Sequence, residues 1–144
     1  MEYVARLTRE GRHTLADFPD CPGCQTFASA GEDIRALALD ALEGWLEAHL
    51  VHGESPPEPK ARLSSGRMAI RVSPMLAVRL QLRWGRQKLG LSQAELAKRV
   101  GVSRQQISLL ESPDANLTLS TLEHVADALG MHLDIELQPN ASAA

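Results

Sequence analysis

Hydrophobic and polar residues alternate with a period of two in three short stretches near the start of the chain. Residues 2–9 place Tyr3, Ala5 and Leu7 on one side, and a turn at residues 10–12 leads to a second alternating stretch at residues 13–18. A third stretch, residues 24–28, follows an irregular connection that contains two prolines and a glycine. Alternation of this kind is typical of half-buried strands. The pattern therefore predicts three antiparallel strands.

Between residues 32 and 52 the period changes to that of an amphipathic helix, with acidic side chains off the apolar stripe. The stripe consists of Ile34, Ala38, Ala41, Leu42, Trp45 and Leu46. Three prolines in residues 53–59 cannot continue the helix and predict an ordered linker or a wrap around the surface. Residues 67–72 alternate again and would return to the sheet as its last strand. The first domain, residues 1–72, is thus predicted as an α+β fold with the order βββαβ.

A second domain, residues 73–138, is predicted to be helical. Its first helix, from Pro74 to about residue 89, would turn leucines inward and basic residues outward. The expected inward residues are Leu76, Leu80 and Leu82, and the expected outward ones are Arg79, Arg83, Arg86 and Lys88. Residues 91–111 then read as two short helices joined by a tight turn. Ser92 with Glu95 and Ser103 with Gln106 have the spacing of capping boxes, and Gly101 suits the turn.

The sequence pattern near the end of the chain predicts one more helix and a lone strand. Ser120 with Glu123 has the spacing of a third capping box, and Gly130 would end the helix that it opens. The strand, which begins at Met131 and ends at Leu137, alternates apolar and polar residues. A lone strand leaves backbone groups unpaired, so we expect it to pair with the same strand of a second copy in a homodimer or tetramer. Residues 139–144 are predicted to be a flexible tail.

Two capped helices around a glycine turn have helix-turn-helix geometry, which places the second helix in the DNA major groove. An ordinary well-capped hairpin is the alternative. We favour DNA binding because all basic residues of the second half fall between Arg79 and Arg104, with only Glu95 among them. Arginine suits guanine, and glutamine suits adenine. The predicted base contacts are Ser103, Arg104, Gln105, Gln106 and Ser108, and the predicted phosphate contacts are Gln93, Arg83 and Arg86.

Length and composition narrow the remaining classes of protein. The chain has 144 residues, a net charge of −3 and 44% hydrophobic residues, enough for two small domains with buried cores. No window approaches the ~20 apolar residues of a membrane span, and the first residues lack the pattern of a signal peptide. We therefore expect a cytoplasmic protein without membrane contact. Residues 1–72 hold eight basic and eleven acidic residues, which favours a basic partner.

The two cysteines, Cys21 and Cys24, have a spacing that metal knuckles and redox pairs share. A structural zinc site needs four ligands, and only His13 is a plausible third. A redox pair would open a helix, whereas this one enters a strand. We therefore expect a turn with incidental thiols, no metal and no cofactor. The five histidines are scattered, and no nucleophile lies near a base in the sequence, so an enzyme is disfavoured.

Two family resemblances follow from these motifs. Gln93-Ala94-Glu95-Leu96-Ala97 resembles the first helix of the Cro and phage-repressor class, with Arg104 and Gln105 at its base-reading positions, over about residues 75–130. Phe18-Pro19-Asp20, Pro22-Gly23-Cys24 and Thr26, followed by an acidic-capped helix with a Gly-Glu-x-Pro-Pro exit, resemble the antitoxin family HicB over about residues 3–72. Gly31 comes slightly later after Thr26 than in that family's pattern.

The HicB resemblance implies a degraded ribonuclease-H-like domain that blocks HicA, a small RNA-cleaving toxin. The motif residues that this resemblance marks as toxin contacts are Asp17, Phe18, Asp20, Cys24 and Thr26. We expect a two-domain antitoxin that also represses its own operon. A ligand-sensing regulator without a toxin partner is one alternative. A nuclease is another, although Asp17 and Asp20 alone do not supply the carboxylates that a metal-dependent nuclease needs.

Overall fold

The computed structural model describes residues 1–114 and 116–140. Its strands are β1 (Glu2–Glu10), β2 (His13–Asp17), β3 (Gln25–Ala28) and β4 (Arg67–Arg71). Its helices are α1 (Ile34–Val51), α2 (Pro74–Lys88), α3 (Gln93–Val100), α4 (Arg104–Leu110) and α5 (Leu119–Ala128). These bounds lie close to the predicted ones throughout the first domain and the helix-turn-helix.

The four strands form one antiparallel sheet in the order β3-β2-β1-β4. Tyr3 lies opposite Ile70, and Ala5 lies opposite Met68, with all four side chains buried on one face. The alternation in the sequence thus places every second residue of these strands in the core, as a pleated sheet requires. The predicted α+β fold with the order βββαβ is confirmed.

Helix α1 covers the buried face of the sheet. Asp33 caps its first turn, since the Asp33 carboxylate accepts a hydrogen bond of 2.9 Å from the backbone N–H of Arg35. Its buried side chains recur every four residues, which keeps them on one face of the helix. They are Ala38, Leu42, Leu46 and Leu50.

Residues 53–58, which we call the strap, leave α1 and lie against α2. The buried Pro56 carbonyl accepts a hydrogen bond of 2.8 Å from Trp84 Nε1, and the Tyr3 hydroxyl donates one of 2.7 Å to the Pro57 carbonyl. The strap therefore connects the sheet with α2. Two further contacts hold it: Ser55 Oγ with Gln87 Oε1 at 2.6 Å, and Lys88 Nζ with Glu58 Oε1 at 2.7 Å.

Helix α2 contributes to two hydrophobic cores. The first core lies between the sheet and α1 and extends to Leu76, Ala77, Leu80 and Trp84 of α2. The second core lies within the helix-turn-helix and α5 and includes Leu82 of α2. The boundary predicted near Ser73 therefore does not separate the cores, because α2 is buried on several sides. The other members of the second core are Leu96, Ala97, Ile107, Leu110, Leu122, Val125 and Leu129.

The third predicted capping box is wrong. Thr118 is the N-cap of α5, and its hydroxyl accepts a hydrogen bond of 3.2 Å from the backbone N–H of Thr121. Ser120 lies inside the helix. Threonine and serine are both good N-cap residues, and Thr118 and Ser120 lie only two positions apart. The spacing of Ser120 and Glu123 therefore did not identify the N-cap correctly.

The predicted strand at residues 131–137 is not formed within the single chain: the structure assigns residues 131–140 to no strand. Leu133 packs against the second core, whereas Ile135 and Leu137 are exposed. Backbone groups of an isolated extended segment need a partner strand. Pairing with a second copy therefore stays a prediction. Most of the tail predicted for residues 139–144 lies outside the described residues, which end at 140.

Candidate nucleic-acid interface

The two helices of the helix-turn-helix begin at complete capping boxes. Ser92 Oγ accepts from the Glu95 N–H at 3.1 Å, while the Glu95 carboxylate accepts from the Ser92 N–H at 2.7 Å. Ser103 and Gln106 make the same pair of bonds at 3.2 and 3.0 Å. The bond from the Ser92 N–H lowers the pKa of Glu95, so this carboxylate stays ionised at the positive end of α3. Both predicted boxes are confirmed.

The turn between α3 and α4 depends on Gly101. Its φ of 82° lies in the left-handed region, where a side chain would be strained. The Gly101 and Val102 N–H groups both donate to the Ala97 carbonyl, at 2.9 and 3.0 Å. This closes α3 and directs the chain into α4. Ala97 is buried at this point, where a larger side chain would separate the helices.

Helix α4 presents the predicted base-contacting residues to solvent. Ser103, Arg104, Gln105 and Ser108 are exposed, while the buried positions of the helix hold it on the second core through Ile107. The exposed positions lie on the first turns of α4, the part of a recognition helix that meets base edges. Gln106 is also exposed, but its Oε1 accepts the capping bond, which leaves its amide nitrogen for a base.

Gln93 is half-buried at the start of α3. Its Nε2 donates to Glu111 Oε2 at 3.2 Å, so the first residue of α3 is fixed to the residue that follows α4. The predicted phosphate contact at Gln93 stays a prediction. Glutamine has two amide hydrogens, and one is available beyond this bond.

The prediction that Arg83 and Arg86 point outward is wrong. Both are buried, with 6% and 8% of their surface exposed. Arg86 makes a bidentate ion pair with the buried Glu111, at 2.5 and 2.9 Å, and also donates to the Leu91 carbonyl at 2.7 Å. Arg83 lies 3.5 Å from the same carboxylate. Neither side chain is placed to reach a phosphate, because both guanidiniums are buried beside the Glu111 carboxylate.

Arg79 is buried as well, with its Nη1 at 3.3 Å from the Leu109 carbonyl. Arg79, Arg83 and Arg86 recur at helical spacing beside the buried leucines of α2, but regularly spaced arginines on a helix usually face solvent. No local signal in the sequence therefore distinguishes this burial from an exposed arrangement.

The basic residues that do reach solvent near the recognition helix are Lys98, Arg99 and Arg104. Lys98 and Arg99 lie in the last turn of α3, where cations interact favourably with the helix dipole. They are accessible side chains for phosphate contact, although the sequence patterns do not mark them as such. Lys88, also exposed, forms an ion pair with Glu58 of the strap.

The helix-turn-helix family matches residues 82–135. A protein of Methanothermobacter thermautotrophicus described as an uncharacterized HTH-type transcriptional regulator is 45% identical over 53 residues, which are 37% of this chain and 77% of that relative. The chain belongs to the helix-turn-helix family. It therefore has the DNA-binding architecture that its capped helices indicated.

Two relatives match this helix-turn-helix protein over nearly its whole length. Antitoxin HicB 2 of Photorhabdus laumondii subsp. laumondii is 25% identical over 135 residues, 94% of this chain and 95% of the relative. Antitoxin HicB 1 of the same organism is 27% identical over 140 residues, 96% of this chain and 88% of the relative. The chain is thus a homologue of HicB antitoxins with a C-terminal helix-turn-helix, as the sequence motifs indicated.

The motif shared with HicB folds into a tight loop between β2 and β3. The Cys24 N–H donates to the Cys21 carbonyl at 2.9 Å, and the Phe18 N–H donates to the Cys24 carbonyl at 3.1 Å. Asp20 Oδ2 accepts from the backbone N–H groups of Lys60 and Ala61, both at 2.8 Å. The motif therefore holds the loop and the segment after the strap in place.

Two of the predicted toxin contacts are corrected by this loop. Phe18 and Cys24 are 2% and 4% exposed and belong to the first core, so they cannot touch a partner without unfolding the loop. Asp17 is engaged by Arg6 at 2.7 Å across β1 and β2. Thr26 is half-buried on β3. The apolar residue of β3 that does face solvent is Phe27, which is 65% exposed.

The thiols of Cys21 and Cys24 are both buried, and they are not joined in a disulfide in the described structure. Burial raises the pKa of Cys21 to about 12 and that of Cys24 to about 11. A thiol of this kind is protonated and unreactive at neutral pH. Over residues 1–114 and 116–140 no three metal-ligating side chains converge, and no helix is long and apolar enough to span a membrane.

Proposed function

We propose that the protein is an antitoxin that binds and neutralises a small HicA-type RNA-cleaving toxin and represses its own operon by sequence-specific DNA binding. The observation that carries this proposal is the end-to-end match to two proteins named antitoxin HicB. The match extends over strands β1 to β4 with helix α1, which we call the sheet module, as well as over the helix-turn-helix. A regulator related only through its DNA-binding domain would match only the second of these.

For the operator-binding half, α4 would lie in the major groove. Arg104, Gln105 and Ser108 would meet base edges, and Lys98 and Arg99 would meet phosphates. One recognition helix reads few base pairs, so we propose that a homodimer binds two half-sites. Ile135 and Leu137, 56% and 94% exposed in the single chain, would be covered by the dimer partner.

The dimer is tested by replacing both Ile135 and Leu137 with aspartate. These side chains are exposed in the single chain, so the protomer should stay folded while a strand pair with two buried charges should not form. We expect monomers in light scattering and weaker operator binding. A dimer of parent affinity would assign dimerisation to another surface.

For the toxin-binding half, we propose the outer face of the sheet around Phe27. Phe27 lies opposite Leu15 in the sheet, and its ring contacts that of His13 edge to face at 6.2 Å. Together they form an accessible apolar patch on an edge strand, and such patches often mark protein interfaces. Strand β3 follows directly from the HicB motif loop, so the motif would act by positioning this surface rather than by contact.

The experiment co-expresses the protein with the product of the neighbouring reading frame, the candidate toxin. Phe27→Asp should abolish co-purification and rescue of growth, because it places a charge in the centre of the interface. Val51→Asp is the matched control: Val51 is 64% exposed but lies on α1, which covers the opposite face. Loss of binding in both variants, or in neither, would contradict the proposed surface. A parent chain that captures no neighbouring protein would contradict the antitoxin function.

A second candidate function is small-molecule sensing by a regulator without a toxin. The observation in its favour is a cavity of about 570 Å³ between the sheet module and the second core, lined by Met1, Trp84, Leu129 and Met131 among others. That volume is within the range of small-ligand sites. This function predicts operator binding that changes with a metabolite and needs no protein partner.

A further inference from the structure

Arg83 connects the two halves of the molecule through a single side chain. Its Nη2 donates to the Gly53 carbonyl, where α1 ends and the strap begins. Its Nη1 lies 3.5 Å from Glu111 Oε2, at the residue that ends the recognition helix α4. The side chain is only 7% exposed, so both contacts are shielded from water. Burial lowers the pKa of Arg83, and Glu111 opposes that change.

The helix-turn-helix does not need this link for its own internal packing. Arg86 already holds Glu111 with two hydrogen bonds and holds Leu91 with a third. Gln93 adds a bond from the start of α3. The contact that Arg83 adds is the one to Gly53, which lies outside the helix-turn-helix. Its guanidinium therefore ties the position of the recognition helix to the end of α1.

The strap carries this connection on to the sheet. Tyr3 of β1 holds the Pro57 carbonyl, and Trp84, next to Arg83 on α2, holds the Pro56 carbonyl. A chain of direct hydrogen bonds and covalent neighbours thus runs from the sheet through the strap to Glu111. Beside this chain of contacts lies a cavity of about 550 Å³, bordered by Gly53, Arg83 and Ser108 among others. The cavity leaves space for these side chains to move.

We infer that Arg83 is a positioning residue that couples the sheet module to the recognition helix, so that the state of the strap changes DNA affinity. This inference rests on the DNA-binding half of the proposed function and not on toxin binding. Arg83 acts through Glu111 and does not touch DNA. Lysine cannot replace it, because one ammonium on a flexible stem lacks the fork that reaches Gly53 and Glu111 together.

The first test measures operator affinity of the full chain over a series of salt concentrations. We expect Arg83→Met to weaken binding about 2- to 30-fold with no change in salt dependence. Arg12→Met is the control, because it removes the same charge from the exposed turn between β1 and β2, outside the strap and the helix-turn-helix. A salt slope lowered by about one, as for a lost phosphate contact, would overturn the inference. So would parent affinity in Arg83→Met.

The second test needs no DNA and therefore separates this inference from the proposed function. Hydrogen exchange reports the protection of the α4 amides in the free protein. Tyr3→Phe removes the hydroxyl that holds Pro57 and leaves Arg83 untouched. We expect faster exchange at Ile107 and Glu111 in Tyr3→Phe, and no additional effect of this change when Arg83 is already methionine. Faster exchange confined to the sheet, or additive effects of the two changes, would refute the coupling.

Discussion

Replacing Glu111 by glutamine should be among the most destabilising single changes in this chain. The carboxylate is 3% exposed, accepts two hydrogen bonds from Arg86 at 2.5 and 2.9 Å, and lies 3.5 Å from Arg83. Glutamine keeps the volume but removes the negative charge and replaces one acceptor by a donor. Two guanidiniums would then be buried without a counter-charge.

The magnitude follows from the cost of breaking a buried ion pair, about 3 to 5 kcal/mol. The free energy of unfolding of such domains is about 5 to 15 kcal/mol, so the change would remove a large part of it. A loss of that size corresponds to a fall in Tm of about 6 to 20 °C for a chain of this length.

The assay is urea and thermal unfolding followed by circular dichroism, with Glu123→Gln as the control. Glu123 is an exposed residue of α5, and its replacement should change stability by no more than about 0.5 kcal/mol. A Glu111→Gln variant as stable as the parent would show that the arginines find other partners or water. The ion-pair network would then not be what holds α2 against the end of α4.

Three further predictions concern the recognition helix and the cysteines. Arg104→Ala should cost about 1 to 3 kcal/mol of operator binding and relax preference at one base position in a binding-site selection, while toxin capture stays intact. Ser103→Ala should lower the free energy of unfolding by about 1 kcal/mol, whereas Ser108→Ala, which removes no cap, should leave it nearly unchanged. The thiol pKa values of Cys21 and Cys24 are raised to about 12 and 11 in the folded protein. The stability that these protonated thiols contribute is therefore fully present below the thiol pKa of the unfolded chain, about 8.5. It is lost as the pH rises through the folded-state values. Unfolding titrations should show a fall of roughly 1.4 kcal/mol per pH unit for each thiol above that point, less steep in Cys24→Ala; an identical slope in that variant would contradict the assignment.

Local patterns predicted most of the elements correctly because their causes are local. The capping boxes at Ser92 and Ser103 need only residues three positions apart, and the alternation in β1 reflects one pleated face. The burial of Arg86 could not be read this way. Its partner Glu111 is 25 residues further along the chain, and a helix with regularly spaced arginines normally turns them to solvent.

Two of the toxin-contact predictions, Phe18 and Cys24, failed for a related reason. Phe18 and Cys24 carry a family motif, and a motif marks residues that a fold or a function requires without telling which. Here the fold requires the loop itself, which the backbone hydrogen bond from Phe18 to Cys24 closes and whose Phe18 and Cys24 side chains are buried in the first core. Phe27, which the structure exposes, lies one residue beyond Thr26, the last residue of the motif.

The shared helix α2 sets a limit on how this protein can be recombined. Leu76, Leu80 and Trp84 belong to the core of the sheet module, although they lie after the domain boundary predicted near Ser73. In a chimaera joined at Ser73, the α2 of the incoming DNA-binding domain would be a foreign helix in the core of the sheet module. Exchange of operator specificity between relatives therefore needs a junction after α2, in the short connection before Gln93, and an incoming helix-turn-helix that fits Leu82 and Arg86 of α2.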